Sequence, residues 1–326
     1  MNTFNFKEVS EYHKFDNSIK NQIKELCQYN NFNGVMAVSS DYFFIAFAIY
    51  LTQVSFWLYP LSVLIIGSRQ RALATVLHEA AHKTLAKNRL LNRILGTYFS
   101  GYLIFQTWDA YLRSHVFNHH TKLGSPEFDP DLKHYVESGV FERRSKNGFL
   151  MRYLVSPFFC ANVFSTVRYL LVNRLALRSN GSELVPMLLT FVAFAAVGSY
   201  LVGWEFILMY WLVPYLTTFQ IITWFIELAE HYPLIRGAKD ALHATRNRFS
   251  HPIEAFFTAM HAENFHLTHH LFPGVPFWKL KRAHRILLED PAYAKINAGF
   301  GGIFFSGNYA CSKWEKLVFQ NAGYEN

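Results

Sequence analysis

Leu184–Val202 reads LVPMLLTFVAFAAVGSYLV, nineteen residues without a charge, and Phe206–Ile226 reads FILMYWLVPYLTTFQIITWFI, a further twenty-one. A hydrocarbon core about 30 Å thick is crossed by about 20 apolar residues in helical form, so each run is long enough to span a bilayer. The join at Gly203–Trp204–Glu205 leaves room for a tight turn and nothing larger, and the pair reads as a transmembrane hairpin. Pro186 and Pro214 are tolerated in such helices because neighbouring groups satisfy the freed carbonyls. Lys and Arg avoid all of Asn180–Ile235, and they avoid one earlier window, Asp41–Gly67. There Tyr42–Leu58 can span once, and an apolar run resumes at Pro60 before Arg69 and Arg71. Two more helices are expected, about 42–58 and 60–77, the second leaving the bilayer near the arginines. A single kinked span is the alternative, because hydropathy is weakest at closely spaced spans. The expected fold class is all-α integral membrane, with about four transmembrane helices in two hairpins capped by a cytosolic helical domain.

Composition agrees. Charged residues make up 17% of the 326, against about 25% in an average soluble domain. With 17% aromatics, the chain is neither disordered nor a coiled coil nor a collagen-like fibre. Cys27, Cys160 and Cys311 lie far apart, which excludes a disulfide scaffold, a cysteine-type zinc site and an iron–sulfur cluster. The net charge of +8 suits an anionic membrane surface or a nucleic acid. Its basic residues border the apolar runs and no nucleic-acid fold signature accompanies them, so nucleic acid is not expected as a partner. By the same bias the two termini and the long middle segment lie on the cytoplasmic side. The first forty residues are polar, without the apolar stretch of a signal peptide. Three segments follow: a cytosolic N-terminal stretch 1–40 with an amphipathic helix near Val9–Tyr29, a membrane domain 41–287, and a cytosolic tail 288–326. Within the membrane domain, Met151–Leu177 mixes aromatics with Arg152, Arg168 and Arg174, the pattern of a helix lying in the interface.

The histidines are the unusual feature, since nine of fifteen fall in four short clusters. His78-Glu79-Ala80-Ala81-His82 places two imidazoles at i and i+4 on one helix face, where both can reach one metal ion. His115-Val116-Phe117-Asn118-His119-His120 gives i, i+4 and i+5. His266-Leu267-Thr268-His269-His270 gives i, i+3 and i+4. His231 closes the last apolar run in Glu227-Leu228-Ala229-Glu230-His231. Taken alone, His78–His82 matches the HExxH of zinc metalloproteases with Glu79 as general base, and an isolated His pair is more often plain surface or core. Nine clustered histidines exceed what one four-coordinate zinc requires, and nitrogen-rich ligation of that count suits two borderline ions of the iron type. Side-chain acids and bases cannot take hydrogen from an unactivated CH₂ group, and such chemistry is delegated to a metal with O₂. An apolar cavity between helices is where an alkyl chain would be presented to it.

Three runs now carry a resemblance. GSRQRALATVLHEAAHKTLAKNRLLNRILG (67–96), YLRSHVFNHHTKLGSPEFDPD (111–131) and ENFHLTHHLFPGVPFWKL (263–280) are similar, in order, to the three histidine boxes of the integral-membrane fatty acid desaturase family. The HHLFP continuation of the third is very characteristic, and the first departs from the usual Asp after its leading His by carrying Glu79. The resemblance covers about Gly67 to Leu287. It implies two Fe ions, O₂ as co-substrate, and two electrons per turnover from an external carrier, a ferredoxin- or cytochrome b5-type donor. It implies as iron ligands His78, His82, His115, His119, His120, His266, His269 and His270. His231 matches a further His that some members supply from the end of the last span; those members carry Asn four residues earlier, where this chain has Glu227. Glu227 is thus a candidate direct ligand, and Glu230 a carboxylate that orients a ligand imidazole. Glu79 is a candidate to orient His78 or His82, with an exposed helix carboxylate as the alternative. Asp129 and Asp131 flank Pro130 and are candidates for the same supporting role, or ordinary turn residues. Arg113 matches a family Arg that would pair with those acids or a lipid phosphate. Asn264 would hydrogen-bond the site or cap its helix.

The expected activity is O₂-dependent desaturation of an acyl or related aliphatic chain. Hydroxylation at the same kind of centre is the near alternative, because both begin with hydrogen abstraction. A membrane zinc metalloprotease is the remote one. A metal transporter would want ionisable groups inside the spans, and the two clear runs carry none.

Overall fold

The computed structural model describes residues 6–142, 144–175, 181–298 and 301–305. Among them the chain is helical throughout, with one isolated bridge, Glu11 to Asp240, and no strand. The tail expected at 288–326 is described through helix Pro291–Asn297 and a short stretch ending at Phe305, and its remainder lies outside the described residues, as does Cys311. Two compact units result. One is built from Tyr29–Arg113 and Asn162–Thr223, the other from the chain up to Gln28, Ser114–Ala161 and the chain from Trp224 onward.

Three described helices are long and apolar enough to cross a membrane, namely Phe32–Val54, Gly181–Val202 and the broken helix Phe206–His231. The first begins ten residues before the expected 42, because Asn31 and Phe32 open a helix that continues without a breaker to Ser55. The expected 60–77 span is one continuous helix, Tyr59–Ala81, with Pro60 in its first turn. Arg69, Arg71 and Glu79 leave it outside the apolar set. A fourth candidate comes instead from the segment expected to lie in the interface, where Lys146–Phe159 and Val163–Leu175 pass together across a bend of 75°. Gly181–Val202 presents Val185, Leu188, Leu189, Val192, Val197 and Leu201 outward. An apolar face of that extent is unstable in water and marks a membrane protein.

Within the first unit, helices Phe32–Val54 and Tyr59–Ala81 run antiparallel. Ser62 Oγ donates to Ala48 O (2.6 Å), Thr52 Oγ1 donates to Ser62 Oγ (2.8 Å), and Arg69 lies 3.7 Å from Asp41. In an apolar setting each such bond satisfies a group that lipid cannot. Gly67 lets the Tyr59–Ala81 helix touch the chain at Thr218, whose Oγ1 donates to Val63 O (2.7 Å). A Cβ at position 67 would sit 2.0 Å from that oxygen.

The second unit has a water-soluble kind of core. Helix Asn17–Leu26, inside the stretch expected to be amphipathic, buries Ile19, Ile23 and Leu26 against Leu280, Ala283 and Leu287 of helix Phe277–Leu287. Each such aliphatic contributes about 1.5–3 kcal/mol. Beside this core His284 Nδ1 pairs with Tyr293 Oη at 2.7 Å, and burial, with help from the adjacent Arg285, pulls the imidazole down to about 4. The unfolded chain then takes up a proton at His284 near its ordinary 6.5 while the folded chain stays neutral. Stability contributed by the neutral form is fully present above about pH 6.5 and is lost as pH falls toward 4. Thermal unfolding of the detergent-solubilised protein across this window is expected to fall more steeply with acid than that of His284→Gln.

Candidate metal centre

The second box is held by helix Leu112–His120, which is wound in the wide i→i+5 manner. In that winding residues four and five apart share a face, so His119 and His120 both turn toward the side occupied by His115. An ordinary α-helix would splay two successive histidines by about 100°. His120 Nε2 lies 3.2 Å from His115 Nε2 and 3.2 Å from His269 Nε2. The third box forms the short helix His266–Leu271, whose i, i+4 pair His266 and His270 brings its Nε2 atoms to 3.0 Å. His231, the last residue of helix Thr218–His231, presents Nε2 at 2.9 Å from His266 Nε2.

Ligand atoms of His119, His231, His266 and His270 all fall within 4.8 Å of one another, and so do those of His115, His119 and Asp131. Seven of the nine clustered histidines are therefore gathered in one unit. His78 and His82 belong to the other, where their rings lie 4.7 Å apart on the Tyr59–Ala81 helix and its C-cap. Glu79 there is buried, not solvated; it accepts from Thr84 Oγ1 (2.8 Å) and lies 3.3 Å from His78 Nδ1.

The outer nitrogens decide what the inner ones can do. His119 Nδ1 donates to Asp129 Oδ1 (3.1 Å) with Asp131 Oδ2 at 3.3 Å, His231 Nδ1 donates to Ala244 O (3.3 Å), and His266 Nδ1 faces Glu230 Oε2 (3.4 Å). A carboxylate or a carbonyl only accepts, so each of these Nδ1 atoms carries a proton, and each ring, whenever it is neutral, turns an Nε2 lone pair inward. The Nε2 lone pairs of His266 and His231, 2.9 Å apart with no hydrogen between them, repel. A cation removes the repulsion, and cis nitrogens on an ion at about 2.1 Å stand about 3 Å apart. The donor set therefore fits a metal ion. His-to-carboxylate and His-to-carbonyl partners are the usual outer support of metal-bound imidazoles.

Electrostatics point the same way. Burial disfavours a charge on His119, yet Asp129 and Asp131, with a smaller contribution from Glu227, outweigh it and raise the imidazole to about 9. Carboxylates that favour a proton at this spot favour any cation there. His270 carries no such partner in its balance: burial, then its neighbours His120, His266, His119 and His231, hold it well below its ordinary value.

Asp129 does three tasks at once. Besides His119, its side chain accepts from the backbone N–H of Asp131 and Leu132, capping helix Pro130–Ser138, and from that of Gly124 (3.0 Å). Glu227, four residues before His231, is half-buried and acts on His119 through its charge. Arg113 is exposed. Asn264 neither caps nor faces the histidines; its Nδ2 donates to Arg248 O (2.9 Å).

One supporting segment went unread in the sequence. Ala244 to Arg248 is fully buried, five residues in a row, and leaves the helix for extended backbone at Thr245. Ala244 O holds His231, Thr245 Oγ1 donates to Glu230 O (3.1 Å), and Arg246 donates to Tyr232 O. Asn247 Oδ1 accepts from Thr268 N (3.1 Å), inside the third box. The signal available was Arg246-Asn247-Arg248, a polar run without helical period eighteen residues ahead of that box.

A helical chain with candidate membrane spans and a buried cluster of histidines that could hold a metal ion is thus defined by its own geometry. The chain belongs to the fatty acid desaturase family, whose model matches residues 55–300, and it is an oxidoreductase of that family. It is 40% identical over 303 residues to the dihydrorhizobitoxine desaturase of Bradyrhizobium elkanii, a match that covers 90% of this chain and 86% of that one. It is 25% identical over 300 residues to a Synechocystis protein described as an sn-1 acyl-lipid omega-3 desaturase (ferredoxin), covering 82% and 78%. To the chloroplastic omega-6 fatty acid desaturase of spinach it is 23% identical over 265 residues, covering 74% and 56%. With the family assigned and Glu79 buried behind Thr84 and His78, the metalloprotease reading of HEAAH has no support.

Proposed function

We propose that the chain is an O₂-dependent desaturase that introduces a C=C bond into an acyl or related aliphatic chain at a di-iron centre. Its ligands are His78, His82, His115, His119, His120, His231, His266, His269 and His270. The observation that carries this reading is the inward convergence of Nε2 lone pairs whose Nδ1 atoms are committed to Asp129, Ala244 O and Glu230. Two hairpins would cross the bilayer, with both termini and the centre on the cytoplasmic face, and a ferredoxin- or cytochrome b5-type carrier would deliver the electrons.

The overall change is –CH₂–CH₂– plus O₂, two electrons and two protons giving –CH=CH– and two waters. Bound iron supplies the activation of O₂ that removal of hydrogen from such carbon demands. The protein's part is to hold the imidazoles aimed, through Asp129 and Glu230, and to keep the surrounding helices apolar. Hydroxylation would consume the same reagents and leave one oxygen in the product. Mass spectrometry of extracts from cells expressing the protein separates them: loss of two hydrogens supports the proposal, and gain of one oxygen refutes it.

One observation favours a substrate that is more than bare hydrocarbon. Gln220 is 2% exposed, and among the described residues neither its Oε1 nor its Nε2 has a hydrogen-bond partner. The Oε1 atoms of buried Gln70 and Gln106 are likewise unpartnered. Nearby, Thr217 is satisfied by Val213 O and Thr218 by Val63 O, while Thr223 Oγ1, on the helix of Gln220, also has no partner among the described residues. A buried amide without a partner costs about 1–3 kcal/mol, and polar groups inside spans mark substrate paths. A chain bearing hydrogen-bonding groups would offset that cost, which agrees in kind with the non-lipid name of the Bradyrhizobium relative. Gln220→Leu is expected to lower the unsaturated product in the polar extract by 10-fold or more, at about 1.4 kcal/mol per tenfold. Unchanged polar product would return the substrate to plain acyl chains.

A further inference from the structure

We propose that Arg248 is a positioning residue of the metal centre, acting through Glu230 on His266, within a buried splint that fixes the third histidine box to the end of the last apolar helix. It rests on the metal reading above and goes beyond the ligands and their carboxylates. Arg248 donates twice to Glu230 Oε1, from Nη2 (2.9 Å) and Nε (3.2 Å), and its Nη1 donates to Thr258 O (2.8 Å). Three bonds fix the guanidinium plane. That leaves Glu230 with its other oxygen, Oε2, toward His266 Nδ1 at 3.4 Å.

The backbone repeats the grip. Arg248 N donates to Asn264 O (2.8 Å) while Asn264 Nδ2 donates back to Arg248 O (2.9 Å), two residues before His266. The preceding Asn247 takes Thr268 N two residues after it. His266 is thus bracketed on both sides by one dipeptide. The same segment holds His231 through Ala244 O and Glu230 through Thr245. Two elements distant in sequence, helix Thr218–His231 and helix His266–Leu271, are set in register by five consecutive residues.

Chemistry favours a role at the metal over a role in stability. Arg248 and Glu230 are 0% and 1% exposed, and a buried ion pair is weak ground for stability because its desolvation offsets its attraction. A guanidinium fixed by three bonds, two of them to one Glu230 oxygen, restrains that carboxylate as a single-point ammonium cannot. A Glu230 held immobile by Arg248 keeps its Oε2 on His266 Nδ1 and so keeps the ring's Nε2 turned inward. Losing an outer partner of a metal-bound imidazole typically costs about 10–100-fold in metal affinity.

The test compares the purified full-length protein with Arg248→Lys and with Glu230→Gln/Arg248→Met, which removes both charges together. Iron retention is read by competition with a ferrous chelator, and thermal unfolding is read on the iron-free protein. The double variant is expected to unfold within a few degrees of the parent yet hold iron about 10–100-fold more weakly. Arg248→Lys is expected to fall between the two, a partial rescue. Parental iron retention in the double variant overturns the proposal. So does a double variant that fails to fold, since the pair would then serve the fold. A parent that binds no iron at all would instead refute the metal centre itself.

Discussion

His266→Ala is expected to abolish product formation and to lower bound iron, while the helical content of the protein stays that of the parent. His266 is the hinge of the cluster, since its Nε2 stands 2.9 Å from that of His231 and 3.0 Å from that of His270. Removing it deletes one donor and leaves Glu230 facing a gap. The loss should exceed the about 10–100-fold that an outer partner costs. His243→Ala is the matched control: that ring is exposed and pairs with Asp240 (2.6 Å), and its loss should leave iron and activity intact. Iron assay and product analysis on the three proteins check the prediction. Equal iron in all three would remove His266 from the ligand set.

Asp129→Ala is expected to be the most damaging change outside the histidines. The side chain carries a helix cap, a loop amide and the Nδ1 of His119, and it is fully buried. A lost cap costs roughly 0.5–2 kcal/mol, and hydrogen bonds to a charged group roughly 1.5–3 kcal/mol each. A loss of about 3 kcal/mol or more in unfolding free energy follows, together with weak iron binding. Asp129→Asn separates the two effects. Its carbonyl oxygen can still cap Asp131 and Leu132, so stability should largely return. It offers no charge to His119, so iron retention should remain about 10–100-fold below the parent. Stability and iron retention recovering together in Asp129→Asn would assign Asp129 to the fold alone.

Much of this was readable from residue spacing. Imidazoles at i and i+4 had to share a face, and the helices at 78–82 and 266–270 behave so. The apolar run at 184–202 had one physical option, and it is a helix with its apolar face outward. Where spacing misled, a local force outweighed it. His119 and His120 are adjacent, and only the wide winding of Leu112–His120 brings both around, which periodicity of 3.6 does not forecast. Arg69 and Arg71 blurred the second helix as a span, although its path is continuous to Ala81. The Ala244–Arg248 splint carries no motif at all. Its importance lies in backbone and side-chain contacts to residues ten to twenty-one positions away, such as Arg248 to Thr258 and Asn247 to Thr268. Contacts of that kind emerge from the fold, and a polar tripeptide between helices looks like any loop until the fold buries it.

Metal content is the most direct test. The protein would be purified in detergent from cells grown with iron and zinc both available, beside a His119→Ala/His269→Ala variant. Close to two irons per chain, lost in the variant, is the expected result. One zinc per chain, retained in the variant, would contradict a di-iron desaturase.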